Sequence, residues 1–233
     1  MRQVVLDTET TGLEPKQGHR IIEIGALELV DRQLTGRQFH AYINPDREID
    51  QGALEVHGIT EEFLRDKPRF AEVADDLMAF IGGAELVIHN APFDIGFIDN
   101  ELSLSGHRHA SVTAVATVLD TLELARDLHP GQRNSLDALC KRYEVDNSSR
   151  SLHGALLDAE ILADVYLAMT GGQSDLGLSL ESAATAGEDD EGGSPVERPP
   201  LSVMRASEDE LQLHEARLED IEKQSGKCVY RQT

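Results

Sequence analysis

The chain has 233 residues and carries 43 acidic against 21 basic side chains, so its formal net charge is −22. Hydrophobic residues make up 40% of it, which is enough for a folded core and excludes a wholly disordered protein. The sequence has no apolar run long enough to span a membrane, no secretory leader pattern, and only two widely separated cysteines, Cys140 and Cys228. We therefore expect a cytoplasmic globular protein without a disulfide framework.

The first 170 residues alternate strand-like and helix-like patterns, which is typical of an α/β domain. Short connections at Thr11-Gly12 and Thr35-Gly36 favour an antiparallel meander of the first three strands. In chain order we predict strands at 2–7, 20–30 and 37–43, a helix at 70–81, a strand at 85–90, a helix from about Pro92, a strand at 117–120, a helix opened by Asn134-Ser135, and a long helix ending near Met169. The predicted fold class is a mixed five-stranded sheet flanked by helices.

The composition changes after residue 172. The stretch 179–200 is rich in Gly, Pro and acidic residues and lacks apolar periodicity, so it predicts a flexible acidic linker. Within 201–233, a Ser207-to-Glu210 capping box precedes apolar residues at helical spacing, namely Leu211, Leu218 and Ile221. One amphipathic helix cannot bury its apolar stripe alone, so we expect it to bind a partner; the alternative is a frayed acidic tail.

Two acids, Asp7 and Glu9, lie two positions apart at the end of the first apolar strand. Because side chains alternate along a strand, both carboxylates face the same side. Two carboxylates held together repel unless a cation lies between them, and hard oxygen ligands favour Mg²⁺ or Mn²⁺. An isolated pair of this kind is more commonly an ordinary solvated strand end, so a metal site needs support from other residues.

Two more acids and a histidine occupy the ends of regular elements. Asp94 lies in the first turn of the helix after the strand at 85–90, where it either caps the helix or faces the strand ends. Asp158 lies on an otherwise apolar helix, where a buried carboxylate is costly without a cation. His153 would point about 140° away from Asp158 on a continuous helix. Gly154 instead favours a loop there, which would make His153 either a surface residue or a general base beside the acids.

Three segments carry a resemblance to a known family. Residues 7–13, 89–94 and 153–159 resemble, in order, the three sequence motifs of the DEDDh 3′–5′ exonucleases. Further similarity at 56–60, 133–140 and 166–172 extends the likeness to proofreading members of that family and to about 170 residues of the chain. The resemblance implies a ribonuclease H-like exonuclease domain at 1–172, in which the metal-binding acids are Asp7, Glu9, Asp94 and Asp158, and the general base is His153.

The resemblance also implies a two-metal site with Mg²⁺ or Mn²⁺ as cofactor. Asp7 would bridge both ions, Glu9 and Asp158 would complete one, and Asp94 would hold the other through water. The residues that would contact the terminal nucleotide are Thr8, Thr10, Leu13, His57 and Phe93. An acid that close relatives carry upstream of His57 is replaced around Gly52, which leaves the 3′-hydroxyl contact from that position open. Asp120 would either line the cleft or cap a helix.

Two tail segments resemble partner-binding regions. Residues 173–178 follow the Gln-x-x-Leu-x-Leu pattern of peptides that bind the bacterial sliding clamp (beta subunit), through Gln173, Leu176 and Leu178; the alternative is an ordinary linker start. By resemblance, 201–233 would bind the polymerase alpha subunit, with apolar anchors Leu211, Leu218, Ile221, Val229 and Tyr230. A small accessory subunit is a further candidate partner.

The acidic charge bears on the substrate. Residues 171–233 hold 14 acids and six bases, which leaves a net charge of −14 on the first 170 residues. We therefore expect weak binding to free DNA and delivery by tethering. The predicted function is a 3′–5′ DNA exonuclease that removes mispaired nucleotides from single-stranded or frayed 3′ ends for a replicative polymerase. The alternatives are a free-standing RNA-trimming relative, like ribonuclease T and oligoribonuclease, and a non-catalytic bridge between clamp and polymerase.

Overall fold

The computed structural model describes residues 1–148, 152–171 and 206–225. The strands in these ranges are β1 (Arg2–Thr10), β2 (Ile21–Val30), β3 (Gln33–Tyr42), β4 (Glu85–Ile88) and β5 (Thr117–Asp120). The α-helices in the same ranges are α1 (Gln51–His57), α2 (Glu61–Leu64), α3 (Phe70–Ile81), α4 (Ala91–Ser105), α5 (Thr121–Leu128), α6 (Leu136–Tyr143), α7 (Ala155–Thr170) and α8 (Glu208–Ser225). All five predicted strands are confirmed, and the short helices α1, α2 and α5 were not predicted.

The five strands form one mixed sheet in the order β3-β2-β1-β4-β5. β1, β2 and β3 form the predicted antiparallel meander, whereas β4 runs parallel to both β1 and β5. β4 lies inside the sheet and is covered on both faces, so Leu86, Val87 and Ile88 are all buried. The carboxyl ends of β1 and β4 therefore meet at one edge of the sheet.

The connection between β2 and β3 differs from the prediction. The turn is formed by Asp31 and Arg32, whose φ angles of 49° and 65° suit a two-residue hairpin. Thr35 and Gly36 lie inside β3 instead, where the register slips opposite Glu28. Gly36 has a φ of 80°, so the glycine serves a bulge in the strand rather than the turn. The prediction of a connection at Thr35-Gly36 was wrong for this reason.

Alternation along β1 divides the hydrophobic core into two layers. Val4 and Leu6 pack with α3 and α4 on one face of the sheet. Val5 faces the other way and packs with α6 and α7. Asp7 and Glu9 continue the odd-numbered row, so their side chains project toward the α7 side. In the described part of the chain, no helix has the length and apolar content needed to cross a membrane.

Helix α8 belongs to a separate unit and is described by itself. The backbone N–H of Ser207 donates to the carboxylate of Glu210 at 2.8 Å, and the N–H of Glu210 donates to Ser207 Oγ at 3.3 Å. The predicted capping box is therefore confirmed. Of the predicted anchors on this helix, Leu211 is exposed and Leu218 is buried. The predicted clamp peptide with Gln173, Leu176 and Leu178, the linker at 179–200, and the anchors Val229 and Tyr230 lie outside the described residues.

Candidate active site

The site begins where α7 meets the sheet. In the antiparallel β1–β2 pair, Asp7 lies opposite Gly25. A Cβ atom at Gly25 would lie only 2.3 Å from the backbone of Ala155 and Leu156, so no side chain fits between the sheet and the helix. Because residue 25 is glycine, the first turn of α7 rests directly on β2, beside the strand that carries the two acids.

The segment before α7 gives His153 its position. Helix α7 begins at Ala155, and the N–H of Asp158 donates the first helical hydrogen bond to the carbonyl of Gly154 at 2.8 Å. His153 lies ahead of the helix, and its N–H donates to the carbonyl of Val56 at 3.1 Å. Its ring Nδ1 lies 3.1 Å from Asp158 Oδ2. The prediction that Gly154 frees His153 from the helix is therefore confirmed.

Glu9, His153 and Asp158 form one cluster. Each contributes a ligand atom, and these atoms all lie within 4.8 Å of one another. The two carboxylate residues are buried, whereas the side chain of His153 is 43% exposed. Two buried carboxylates so close together are costly without positive charge, and their oxygens suit a divalent cation. The residues present therefore fit a metal ion bound through oxygen.

Asp94 approaches the strand from the other face. It lies in the first turn of α4, as predicted, and is buried with its Oδ1 accepting a hydrogen bond from the Thr8 hydroxyl at 2.7 Å. Burial raises the pKa of Asp94 to about 7, although the Thr8 hydrogen bond opposes that rise. Among the described residues, the cluster within 4.8 Å includes neither Asp7 nor Asp94. Both acids nevertheless lie at the carboxyl end of β1. Asp7 is a residue of that strand, and Asp94 is hydrogen-bonded to Thr8 of the same strand.

Asp120 has a structural role that the sequence left open. Its carboxylate accepts the N–H of Leu122 at 2.8 Å, which caps α5. The same carboxylate accepts the N–H groups of Asn90 and Ala91, both at 3.1 Å, at the start of α4. One side chain therefore caps two helices, and the helix-cap interpretation of Asp120 is confirmed. This contact also fixes the turn that carries Asp94.

A cavity of about 450 Å³ lies beside the cluster. Its wall includes Glu9 from the cluster and all five residues predicted to contact the nucleotide, namely Thr8, Thr10, Leu13, His57 and Phe93. Leu13 is 79% exposed, so its side chain is accessible at the mouth of this cavity. Gly52 also lines the cavity, and a Cβ atom there would find open space. The hydroxyl of Thr10 donates to the carbonyl of Gly12 at 2.6 Å, which shapes the loop beside the cavity.

His57 is one of the buried polar residues of the cavity wall. Its Nδ1 accepts the N–H of Ile59 at 3.0 Å, so the ring proton belongs on Nε2. Within the described residues, Nε2 has no hydrogen-bond partner. Burial lowers the pKa of His57, so the ring is neutral at physiological pH. The Nε2 N–H is therefore a buried donor of the cavity wall, close to the backbone of Thr10.

Glu23 is a buried residue of the site that the sequence analysis missed. Its Oε2 accepts the N–H of Ala155 at 3.1 Å, and its Oε1 lies 2.8 Å from Nε2 of His40. The position lies directly opposite Glu9 in the strand pairing. Only the register of β1 against β2 reveals this neighbour, because the two residues belong to strands that look independent in the sequence.

Comparisons with known proteins identify the family of this chain. The sequence model of the Exonuclease family matches residues 4–166. DNA polymerase III subunit epsilon of Escherichia coli strain K12 is 53% identical over 239 aligned positions, which cover 99% of this chain and 97% of that protein. DNA polymerase III subunit epsilon of Pasteurella multocida strain Pm70 is 50% identical, with 98% and 93% of the two chains covered.

Solved structures have the same fold. Exonuclease X in complex with 5′ overhanging duplex DNA matches 72% of this chain and 91% of its own with a TM-score of 0.56 and 27% identity. The zinc-bound complex of E. coli exonuclease I with single-stranded DNA matches 72% of this chain and 40% of its own with a TM-score of 0.61, and at 21% identity it bears on the fold alone. From the matches in sequence, this chain belongs to the exonuclease family and, within it, to the DNA polymerase III epsilon subunits.

Proposed function

We propose that this protein is the proofreading subunit of a bacterial DNA polymerase III and removes mispaired 3′-terminal nucleotides in the cytoplasm. Its membership of the epsilon subunits makes it a 3′–5′ DNA exonuclease. The observation that carries the proposal is the cluster of Glu9, His153 and Asp158 beside a cavity large enough for a nucleotide. An acidic cluster next to an apolar cavity suits hydrolysis of a phosphodiester whose base and sugar lie in that cavity.

The exonuclease family depends on divalent metal ions, and the acids of this chain are suited to hold them. In this proposal Glu9, Asp158, Asp7 and Asp94 would hold two Mg²⁺ or Mn²⁺ ions, with Glu9 and Asp158 at the same ion. Divalent ions bound there supply positive charge for the phosphodiester and the departing 3′-oxygen, and lower the pKa of the attacking water. The raised pKa of Asp94 fits this assignment, because a buried carboxylate that lacks a cation holds its proton more tightly.

His153 serves as the general base in this proposal. Its ring lies next to Asp158 but remains 43% exposed, so water can reach it. Contact with a carboxylate orients the imidazole, which then accepts the proton of the attacking water. The exposed position before α7 also lets the proton leave to solvent after each cycle.

The cavity wall binds the terminal nucleotide. Leu13 and Phe93 pack against its base and sugar, and the backbone from Thr8 to Thr10 binds the 3′-hydroxyl, since both threonine hydroxyls already donate within the protein. His57 Nε2 donates to a phosphate oxygen, which gives that buried N–H its partner. Gly52 contributes no side chain to these contacts.

Delivery to the primer end depends on the tail. We propose that residues 1–172 are the exonuclease domain, that 173–178 bind the sliding clamp, that 179–200 connect the two parts of the chain, and that 201–233 bind the alpha subunit through α8. A net charge of −22 disfavours binding to free DNA, so attachment to the polymerase supplies the local concentration that affinity does not.

The proposed function is tested with 5′-labelled primers that end in a paired or a mispaired nucleotide, with Mg²⁺, Mn²⁺ or chelator. We expect stepwise shortening from the 3′ end that requires metal and is faster at the mispair. Asp7→Ala and Asp158→Ala should each abolish shortening yet melt no earlier than the parent without metal, because each substitution relieves carboxylate repulsion. Glu160→Ala, an exposed change on the same helix as Asp158, is the matched control and should keep the parent rate. Full activity in either aspartate variant would contradict the assignment of the metal ligands.

A further inference from the structure

Glu23 is a further buried carboxylate, next to the cluster of Glu9, His153 and Asp158. It lies directly opposite Glu9 in the β1–β2 pair and directly opposite Tyr42 in the β2–β3 pair, so the three side chains share one face of the sheet. Glu23 is only 2% exposed. Placing another negative charge beside Glu9 costs free energy, so favourable contacts of the Glu23 carboxylate must offset this cost.

Both oxygens of Glu23 make contacts. Oε2 accepts the N–H of Ala155, the first residue of α7, and Oε1 contacts the ring of His40. Tyr42 faces the same carboxylate, and its burial together with the charge of Glu23 raises the pKa of the Tyr42 hydroxyl. His57 is near enough that the charge of Glu23 partly offsets the effect of burial on its pKa. Glu23 therefore links β3 to the start of α7.

Helix α7 has no cap from its own N-cap residue. The residue before a helix is normally Ser, Thr, Asp or Asn, whose side chain accepts an N–H of the first turn. That residue here is Gly154, which has no side chain to do so. Glu23 provides the acceptor from 132 positions earlier in the chain. A carboxylate is well suited to this place, because the N-terminus of a helix attracts negative charge.

The capped N–H belongs to a residue that lies between His153, just ahead of α7, and Asp158, in the first turn of α7. His153 is two positions before Ala155, and Asp158 is three positions after it. We infer that Glu23 is a positioning residue of the exonuclease reaction, which holds the start of α7 so that His153 and Asp158 meet beside Glu9. The inference rests on the proposed function and deepens it. Glu23 acts through the position of the helix and does not itself contact substrate.

The test compares Glu23→Ala and Glu23→Gln in the full chain, with Mn²⁺ and a single-stranded oligonucleotide. A small displacement of reacting groups lowers the rate strongly, so Glu23→Ala should lower kcat by roughly 10- to 100-fold and change KM less than about twofold. Glu23→Gln should recover kcat to within about threefold of the parent, because its amide oxygen can still accept the N–H of Ala155.

Glu28→Gln is the matched control. Glu28 lies on the same strand, is equally buried, and is held by Arg2 and Arg37 rather than by α7. This variant should lose stability and keep the parent kcat. If the effect were a general loss of strand packing, Glu23→Ala and Glu28→Gln would both lose stability and both keep the parent kcat. If the helix cap matters, only Glu23→Ala should have a lower kcat.

Hydrogen exchange of the metal-free protein gives a readout that does not depend on activity. In Glu23→Ala, amides 155–158 should exchange faster while amides 162–166 in the middle of α7 remain unchanged. A parent kcat in Glu23→Ala, a Glu23→Gln variant as slow as Glu23→Ala, or lost protection throughout α7 would each overturn the inference. If the parent protein itself fails to shorten DNA, the proposed function falls, and the exchange result alone still reports whether Glu23 caps the helix.

Discussion

The carboxylate of Asp94 links the stability of the protein to pH. Its pKa in the folded protein is about 7, mainly because of burial. An unfolded chain returns the group to an ordinary pKa of about 3.9. The folded state therefore binds this proton more tightly than the unfolded state does. The resulting contribution to stability is fully present below about pH 4 and is lost as the pH rises toward 7.

This linkage predicts the effect of Asp94→Asn on the metal-free protein. The parent should lose a few kcal/mol of unfolding free energy relative to the variant between pH 4 and pH 7, because asparagine keeps an acceptor for Thr8 and does not ionise. Urea unfolding in chelator at several pH values measures the difference. Identical pH dependence in the two proteins would show that Asp94 keeps an ordinary pKa in the folded state.

His153 can be separated from the metal ligands by substitution. A general base contributes about 10²- to 10⁴-fold to the rate, so His153→Ala should slow excision by that order. Mn²⁺ affinity, measured by calorimetry, should change only a few-fold if the acids alone hold the ions. His214→Ala, an exposed histidine on α8, should leave excision of single-stranded DNA unchanged. A large loss of Mn²⁺ binding in His153→Ala would make His153 a ligand rather than a base.

At the scale of elements, the contact between α7 and β2 decides where the site residues meet. Gly25→Ala would place a Cβ atom 2.3 Å from the backbone of Ala155 and Leu156. Backbone cannot move aside as a side chain tip can, so we expect a loss of at least about 2 kcal/mol in unfolding free energy and a large loss of excision.

The control for that substitution is Gly52→Ala in α1. A Cβ atom at Gly52 meets nothing within 4 Å, and alanine favours a helix over glycine by about 0.5 to 1 kcal/mol. Its stability should therefore equal or exceed that of the parent in the same urea titration. If Gly25→Ala unfolds at the parent urea concentration, the close approach of α7 to β2 does not limit the fold.

Long elements with regular periodicity were predictable from the sequence, and short or register-dependent features were not. The helix at 70–81 was predicted with the bounds of α3 because its apolar residues recur over three turns. Helix α2 has only four residues, too few for a period to show. The pairing of Glu9 with Glu23 requires the alignment of two strands, which no single stretch of sequence contains.

The candidate site was predictable to a similar extent. Asp7 and Glu9 at the carboxyl end of β1 and Asp158 in α7 were predicted as metal ligands because carboxylates placed on one face of a strand or on an apolar helix favour a cation. The structure brings Glu9, His153 and Asp158 together. The carboxylate of Asp120 was ambiguous because a helix cap and a cleft acid look alike in the sequence. Its hydrogen bonds to the starts of two helices distinguish the two roles, and they become visible only when the fold brings the first residues of α4 and α5 to the end of β5.

For the molecule as a whole, a chain that ends at Gly172 tests the proposal that residues 1–172 carry out hydrolysis and the tail binds the polymerase. This truncation spares every proposed metal ligand, so it should degrade single-stranded DNA about as fast as the full chain. It should no longer bind the polymerase, and it should excise mispaired ends poorly at low enzyme concentration, because tethering is lost. Size-exclusion chromatography with the alpha subunit measures the first effect, and primer excision at nanomolar enzyme measures the second.

Leu211→Asp in the full chain is the companion to the truncation, since it alters an exposed residue of α8 and leaves the rest of the tail intact. We expect weaker binding to the alpha subunit with unchanged excision of single strands. Binding of the truncated chain as tight as that of the full chain would remove the tail from recruitment.

The hydrogen bond between Glu23 and Ala155 spans 132 positions, and it has a consequence for synthesis of the protein. Asp7, Glu9 and Glu23 leave the ribosome early, whereas His153 and Asp158 follow only after some 130 to 150 further residues, about 7 to 30 s later at ordinary elongation rates. Until then the first strands carry acids without the helix that completes the site. On the proposed assignment of the site, a nascent chain therefore cannot cut nucleic acid while it is being made, and nuclease activity arises only when residues 1–172 are nearly complete.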